Sequence, residues 1–175
     1  MKATLLLFSM LLMASACRAD SATSATSELP ASELLAPDFW TLWGDGQAEL
    51  NGYRLTQPRY GQLRPGRAVL IFVTETFSQR ERVKSDPGRN PPGDEFPVMK
   101  LNVMKEFQTG IYDYNVMTSA FAQLSSRGGQ SAGDLTKLTF SSQEWCGHVF
   151  QELLFDSKRI RDVRHSYFGG EGTES

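Results

Sequence analysis

An acid, a thiol and an imidazole stand at alternate positions in the last third of the chain. Glu144, Cys146 and His148 lie within the segment TFSSQEWCGHVFQELLF, residues 139–155. If this segment is one strand, the three side chains share a face, because side chains alternate along a strand. A thiol beside a base that a carboxylate orients is an arrangement for nucleophilic catalysis. The spacing therefore indicates one alternative function, a secreted thiol-dependent hydrolase or redox protein that uses Cys146 with His148.

The geometry of a single strand disfavours that alternative. Same-face neighbours on a strand lie about 7 Å apart, which is longer than a hydrogen bond. Catalytic Cys–His pairs usually come from different elements of a fold. A reactive thiol also requires an electropositive site. We therefore expect Cys146 to be buried and inert, His148 to be satisfied by a hydrogen bond, and the protein to have no enzymatic activity.

The two histidines are the other candidates for chemistry. His148 and His165 lie on strands that we expect to be neighbours, and with Glu144 or Cys146 they could hold zinc or copper. The only close ligand spacing is Cys-x-His, which is common by chance, so we expect no metal ion and no other cofactor. The chain has no G-x-S-x-G, H-E-x-x-H or dinucleotide-binding pattern.

The N-terminus has the pattern of an export signal. Lys2 precedes an apolar run at 5–13 that is too short to cross a bilayer as a helix, and small residues at 14–16 lead to Cys17. This pattern resembles a bacterial lipoprotein signal, which predicts a signal peptide over residues 1–16 and lipid attachment at Cys17. The small residues also fit ordinary secretion, so a secreted or periplasmic soluble protein is the alternative.

The segment that follows the signal has the composition of a tether. Residues 17–33 comprise Cys17 and then mostly small and polar side chains, which predicts a flexible segment after the lipidated cysteine. The lipoprotein pattern implies the cell envelope, on the periplasmic side of a membrane. Arg18 stands where aspartate would signal inner-membrane retention, which favours the outer membrane. A formal net charge of −2 gives no electrostatic reason to expect nucleic acid as a partner.

Strand-forming segments and turn signals fill residues 34–175. Pro37 and Asp38 predict a short helical segment that carries Phe39, Trp40 and Trp43. After it, about seven runs of strand-forming residues alternate with turns. They predict an all-β or mainly β domain with a single antiparallel sheet, curved or half-barrel-like, after a short N-terminal helix.

Three segments carry more detailed expectations. Residues 68–73 are apolar at every position, which predicts a strand in the centre of the sheet with both faces buried. Pro58, Gly61, Pro65 and Gly66 are predicted to interrupt the strands before it. Residues 78–95 are charged and rich in proline and glycine, which predicts a solvated loop. Residues 135–155 form either a hairpin that turns at Gln143-Glu144 or one long bent strand.

Most of the chain also shows a family resemblance. The segments GDGQAELNGYRLTQPRYGQLRPGRAVLIFVTETFS, FPVMKLNVMKEFQTGIYDYNVMTS and FSSQEWCGHVFQELLF resemble an uncharacterised family of bacterial envelope lipoprotein-like proteins, from Trp43 to about Glu171. Some relatives carry the label septum formation inhibitor Maf. The chain lacks the phosphate motif of the Maf nucleotide pyrophosphatases, so the resemblance implies no catalytic residues. Family members are longer, which predicts a copy that is truncated at its C-terminus.

Together these patterns predict a non-enzymatic exported lipoprotein. Its β-sheet module would bind an apolar ligand or an envelope protein at the membrane surface, to which the lipid at Cys17 would attach it.

Overall fold

The fold is one antiparallel meander. The computed structural model describes residues 35–86 and 88–174, so the predicted signal peptide and the tether with Cys17 lie outside the described residues. Each strand pairs with the next, in the order β1 to β8. The strands are β1 Glu49–Arg59, β2 Gln62–Ser78, β3 Glu95–Thr109, β4 Tyr112–Gln123, β5 Leu135–Glu144, β6 Gly147–Phe155, β7 Ile160–Ser166 and β8 Thr173–Glu174. The mainly β, single-sheet prediction is confirmed, with seven long strands and a two-residue eighth.

Tight turns lie at one end of the sheet and long connections at the other. Two-residue turns join β1 to β2 at Tyr60-Gly61, β3 to β4 at Gly110-Ile111, and β5 to β6 at Trp145-Cys146. Tyr60 and Gly61 both have positive φ, 53° and 70°, as a type I′ hairpin turn requires. Residues 79–94 and 124–134 connect strands at the opposite end. We call these the turn end and the loop end.

The sheet curves, which gives it a concave and a convex face. Directly opposed residues share a face, so the register defines the concave face by the row Gly66, Phe107, Tyr114, Glu144 and Gly147. The Tyr60 hydroxyl, next to β1, lies 2.9 Å from the Tyr114 hydroxyl of β4, although two strands separate β1 from β4 in the sheet order. Between described residues no pairing joins β1 to β8, so the sheet is open.

The best-buried apolar cluster lies on the convex face at the loop end. It consists of Phe77, Phe96, Val98 and Phe121, each at most 9% exposed. The rings of Phe96 and Phe121 pack on Phe77, with centroids 5.9 and 5.1 Å from the Phe77 ring centroid. The fold is therefore anchored at the loop end, away from the tight turns.

The charged segment that follows β2 packs against this end of the sheet. Arg82 is 8% exposed, and its guanidinium donates to the Thr136 hydroxyl and to Asp156. The Arg82 carbonyl in turn accepts from Lys137 Nζ at 3.0 Å. The prediction of a purely solvated loop over 78–95 is therefore wrong. A guanidinium with several partners can be buried, and charge composition alone does not show those partners.

The most apolar strand is less buried and less central than its sequence predicts. β2 is second in the sheet order, next to the edge strand β1. Within residues 68–73 only Ala68 is buried, and the rest are partly exposed on one face or the other. The prediction of a central strand with two buried faces is therefore wrong. The side chains of residues 68–73 are apolar on both faces because each face of β2 is partly covered, and neither face is fully buried.

The short N-terminal helix is confirmed. The helix α1, Phe39–Trp43, ends over the concave face near the loop end. The Trp43 ring lies 6.4 Å from the Phe72 ring, and the Trp43 carbonyl accepts from the Thr74 hydroxyl at 2.5 Å. No helix in the described part of the chain is long and apolar enough to span a bilayer.

Candidate functional site

The structure separates the acid from the imidazole. Residues 139–155 form the β5–β6 hairpin, whose turn is Trp145-Cys146, two residues later than the hairpin alternative predicts. Glu144 lies opposite Gly147, and His148 lies opposite Gln143. The turn therefore places Glu144 on the concave face and His148 on the convex face. The single-strand interpretation, which places them on one face, is wrong because the chain reverses between them.

Cys146 is exposed at the tip of this hairpin, so the expectation that it is buried is wrong. Its backbone N–H donates to the Tyr112 hydroxyl at 2.8 Å, and that hydroxyl donates to Glu144 Oε2 at 3.1 Å. Partial burial first, and then contact with Cys146 and Glu144, raise the pKa of Tyr112 above its ordinary value. Tyr112 therefore keeps its proton and donates to the carboxylate that, in a catalytic arrangement, would orient His148.

The histidines lie on neighbouring strands, as predicted. His165 of β7 pairs with Phe150 of β6, with ring centroids 6.5 Å apart, on the convex face that also carries His148. Both histidines are exposed. Across residues 35–86 and 88–174, no three His, Cys, Asp or Glu side chains are grouped so that they could hold a metal ion. The register therefore brings the two candidates near each other without a third ligand.

A groove of about 390 Å³ opens on the concave face at the turn end. Side chains from β1, β3, β4, β5 and β6 line it, together with two residues that follow β7. They are Gln57, Pro58, Arg59, Lys105, Phe107, Tyr114, Val116, Phe140, Ser142, Glu144, Val149, Phe168 and Glu171. The groove thus combines an apolar and aromatic floor with charged side chains.

Stacked aromatic side chains extend from this floor to the β5–β6 turn. Phe107 and Tyr114 are parallel within 3°, with centroids 4.8 Å apart. Tyr112 lies 5.0 Å from Tyr114 and 5.2 Å from Trp145. We call Phe107, Tyr114, Tyr112 and Trp145 the aromatic cluster. Offset-stacked and tilted rings at these distances attract one another beyond the effect of burial, so the cluster stiffens the turn end.

Tyr60 approaches this cluster from a strained backbone conformation. A bulky residue at φ 53° is unusual, and such strain persists where the surrounding contacts enforce it. Here the contacts are the hydroxyl pair with Tyr114 and the Arg59 guanidinium, which lies 4.8 Å from the Tyr60 ring centroid and 4.9 Å from that of Tyr114. Burial raises the pKa of Tyr114, so its phenol stays neutral. Strain held beside a groove is typical of a functional site.

The sequence contains one signal of this site. Alternation places Tyr112, Tyr114 and Val116 on one face, and the structure confirms it. The same alternation places Asp113 and Asn115 on the other face, where both line a separate polar cleft. The stack of Tyr114 on Phe107 and the approach of Tyr60 to Tyr114 depend on strand register and curvature, which alternation within one segment does not specify.

Comparison of the chain with protein-family models, with curated protein sequences and with solved structures finds no match. A function must therefore be argued from the groove and the residues that line it.

Proposed function

We propose that the protein is a non-enzymatic exported bacterial lipoprotein whose concave face binds an apolar ligand. The sequence before the described residues supports export and attachment through Cys17. The resemblance to bacterial envelope proteins supports the periplasmic side of a membrane, and Arg18 favours the outer membrane. A sheet attached in this way would lie near lipid, where apolar ligands are abundant.

The observation that carries the proposal is an apolar row across the concave face. Five directly opposed residues of β2 to β6 form it, and all of them are partly exposed: Phe72, Leu101, Ala120, Leu138 and Leu153. Sheets normally bury such a face against a second layer. Of the described elements, α1 packs beside Phe72 at one end of the row. An apolar surface with polar groups at its margin is typical of a binding site.

The shape of the surface favours a small ligand over a protein partner. The groove volume of about 390 Å³ falls in the range of roughly 300–1,000 Å³ that ligand pockets show. Phe140 connects the groove to the apolar row, since it lines the groove and lies two residues from Leu138 on the same face. A curved, lined groove suits one apolar chain, whereas a protein interface needs a broad complementary patch.

The thiol-dependent alternative gains no support from the geometry. Glu144 and His148 lie on opposite faces of the sheet, and Glu144 accepts from Tyr112. A nucleophile needs its base within hydrogen-bond reach. We therefore propose no reaction at Cys146.

The test is binding of Nile red, an uncharged apolar dye, to the chain from residue 18, which retains every described element. Phe140→Gln places an amide in the floor of the groove. Phe150→Gln makes the same change on the convex face of the next strand, where Phe150 is 38% exposed. We expect Phe140→Gln to weaken dye binding about tenfold, in line with loss of a buried aromatic contact, and Phe150→Gln to change it by less than about twofold.

Thermal unfolding of both variants checks that each one folds. Equal weakening by the two substitutions would place the dye elsewhere than the groove. Absence of dye binding to the unsubstituted chain would refute the proposed function.

A further inference from the structure

Building on the proposed function, we infer that the ligand is a single-chain amphiphile with a carboxylate head, bound with its head at Arg59, Arg64 and Lys105. Its apolar chain lies along the groove floor towards Phe140 and the apolar row. The inference rests on three cations on one face, on the absence of acidic partners for them in the described part of the chain, and on the position of the neighbouring acids.

Three basic side chains of neighbouring strands share the concave face at the turn end. Arg59 and Lys105 line the groove, from β1 and β3. Arg64 of β2 lies directly opposite Gln57, which also lines the groove. Lys105 lies opposite Ala68, four residues from Arg64 along β2 and on the same face. The three cations therefore lie on β1, β2 and β3, on one side of the groove.

These cations lack acidic partners in the described part of the chain. The Arg59 guanidinium contacts the rings of Tyr60 and Tyr114 but no carboxylate. Lys105 forms no ion pair or hydrogen bond with another described residue. Nε of Arg64 is buried and has no acceptor. A buried donor without an acceptor in a folded protein calls for an explanation, and a missing ligand is one.

Three cations on the convex face form ion pairs with carboxylates. Lys100 pairs with Glu75 at 3.2 Å, and Lys137 pairs with Glu152 at 2.6 Å. Arg67 pairs with Glu106 at 2.5 Å. These three convex cations therefore have carboxylates, and on the concave face Arg164 of β7 pairs with Asp162. The three cations at the groove have no such partner in the described chain and are left for a charge from outside it.

The acids of the groove lie on its opposite side and are already engaged. Glu144 of β5 accepts from Tyr112. Glu171, which follows β7, accepts from the Ser166 hydroxyl at 2.8 Å. The groove is thus positive towards β1 to β3 and negative towards β5 and the segment after β7. An anionic head is favoured at the positive side, and the negative side disfavours a second anionic group.

A carboxylate on one acyl chain fits this site best. Guanidinium groups donate paired hydrogen bonds to carboxylates, and Lys105 adds a third charged donor. The floor beyond the cations is aromatic and aliphatic, through Phe107, Val116 and Phe140. A groove of about 390 Å³ suits one chain rather than the two chains of a phospholipid.

The experiment compares dodecanoate with dodecanol, which differ in the head group, by displacement of Nile red at neutral pH. It uses the chain from residue 18 and the variants Arg64→Gln and Lys105→Gln. Arg54→Gln is the matched control, since Arg54 is exposed on the convex face of β1 and the substitution removes the same charge. We expect dodecanoate to bind about tenfold tighter than dodecanol, a preference that either groove variant reduces several-fold and Arg54→Gln retains.

The outcomes separate this inference from the proposed function. Equal affinity for dodecanoate and dodecanol would refute the carboxylate head and leave the apolar groove standing. The same loss in Arg54→Gln and Lys105→Gln would also refute it, since that result indicates attraction by net charge alone. Tighter binding of dodecyl phosphate than of dodecanoate would overturn the choice of carboxylate. If Nile red itself does not bind, the proposed function fails with it. Lys105→Gln decides the question if Arg64→Gln does not fold.

Discussion

At Gly66 the absence of a side chain lets the aromatic cluster pack directly on β2. A Cβ atom at Gly66 would lie closest to the Glu106 carbonyl oxygen and 2.8 Å from Cβ of Phe107, its opposed residue on β3, which is closer than real Cβ atoms approach. We expect Gly66→Ala to lower the free energy of unfolding by about 1–3 kcal/mol, because the backbones of β2 and β3 must separate to admit the methyl group. Urea unfolding measures the change.

Gly52 provides the matched control on β1. A Cβ atom there meets nothing within 4 Å, and its φ is not positive. Gly52→Ala should be neutral or stabilise by up to about 0.5 kcal/mol, since alanine restricts the unfolded chain. Equal effects of the two substitutions would show that close approach to Phe107 does not explain the glycine at 66.

At the scale of elements, several strands could be predicted and their ends could not. Runs of strand-forming residues identify β2, β3 and β4, because β-branched and aromatic side chains favour a pleated surface. Pro58 and Pro65 were predicted to interrupt strands, yet both lie within the β1–β2 hairpin. Pro58 is on the edge strand, and pairing of β2 with β3 begins at Gly66, so neither proline faces a second neighbour.

The β5–β6 hairpin shows why the candidate site was harder to predict than the strands. Its residues predict strands on both sides, but a turn at Trp145-Cys146 contains no proline, asparagine or turn glycine of its own. Omitting the turn puts Glu144 and His148 on one face, whereas shifting it by two residues changes only which side chains are directly opposed. The grouping of Glu144 with His148 depends on that choice, whereas the fold class does not.

Arg82 connects the segment between β2 and β3 to β5 and to the connection after β6. We expect Arg82→Ala to lower the free energy of unfolding by about 1–3 kcal/mol, because it leaves Thr136 without this donor and removes the ion pair with Asp156. Limited proteolysis should cut residues 79–94 faster in this variant. Urea unfolding gives the energy.

Arg80 supplies the control within the same segment. Its ion pair with Glu81, at 3.2 Å, is exposed on both sides, and exposed pairs contribute little. Arg80→Ala should change the free energy of unfolding by less than about 0.5 kcal/mol. If Arg82→Ala also changes the free energy of unfolding by less than this limit, the buried contacts of Arg82 do not stabilise the fold.

Two aspartates, one just before β3 and one on β7, are expected to set how the stability of the fold depends on acid. The Ser78 hydroxyl, and then the Arg80 backbone N–H, hold the pKa of Asp94 below its ordinary 3.8. Arg164, and then Gln151, lower the pKa of Asp162 in the same way. A carboxyl whose pKa is lower in the folded state stabilises the fold above its unfolded pKa, and this contribution is lost as pH falls through the folded value.

The midpoint of thermal unfolding should therefore be steady from neutral pH to about pH 4 and fall below it, as these carboxylates take up protons. Asp94→Asn with Asp162→Asn should lower the midpoint at neutral pH and flatten the acid slope, because an amide keeps the shape and cannot ionise. Asp38→Asn is the control, since the Asp38 side chain makes no capping hydrogen bond to α1. If the slope flattens, Ser78→Ala separates the Asp94 contribution from that of Asp162. An acid slope unchanged in the double variant would instead assign acid sensitivity to other carboxylates.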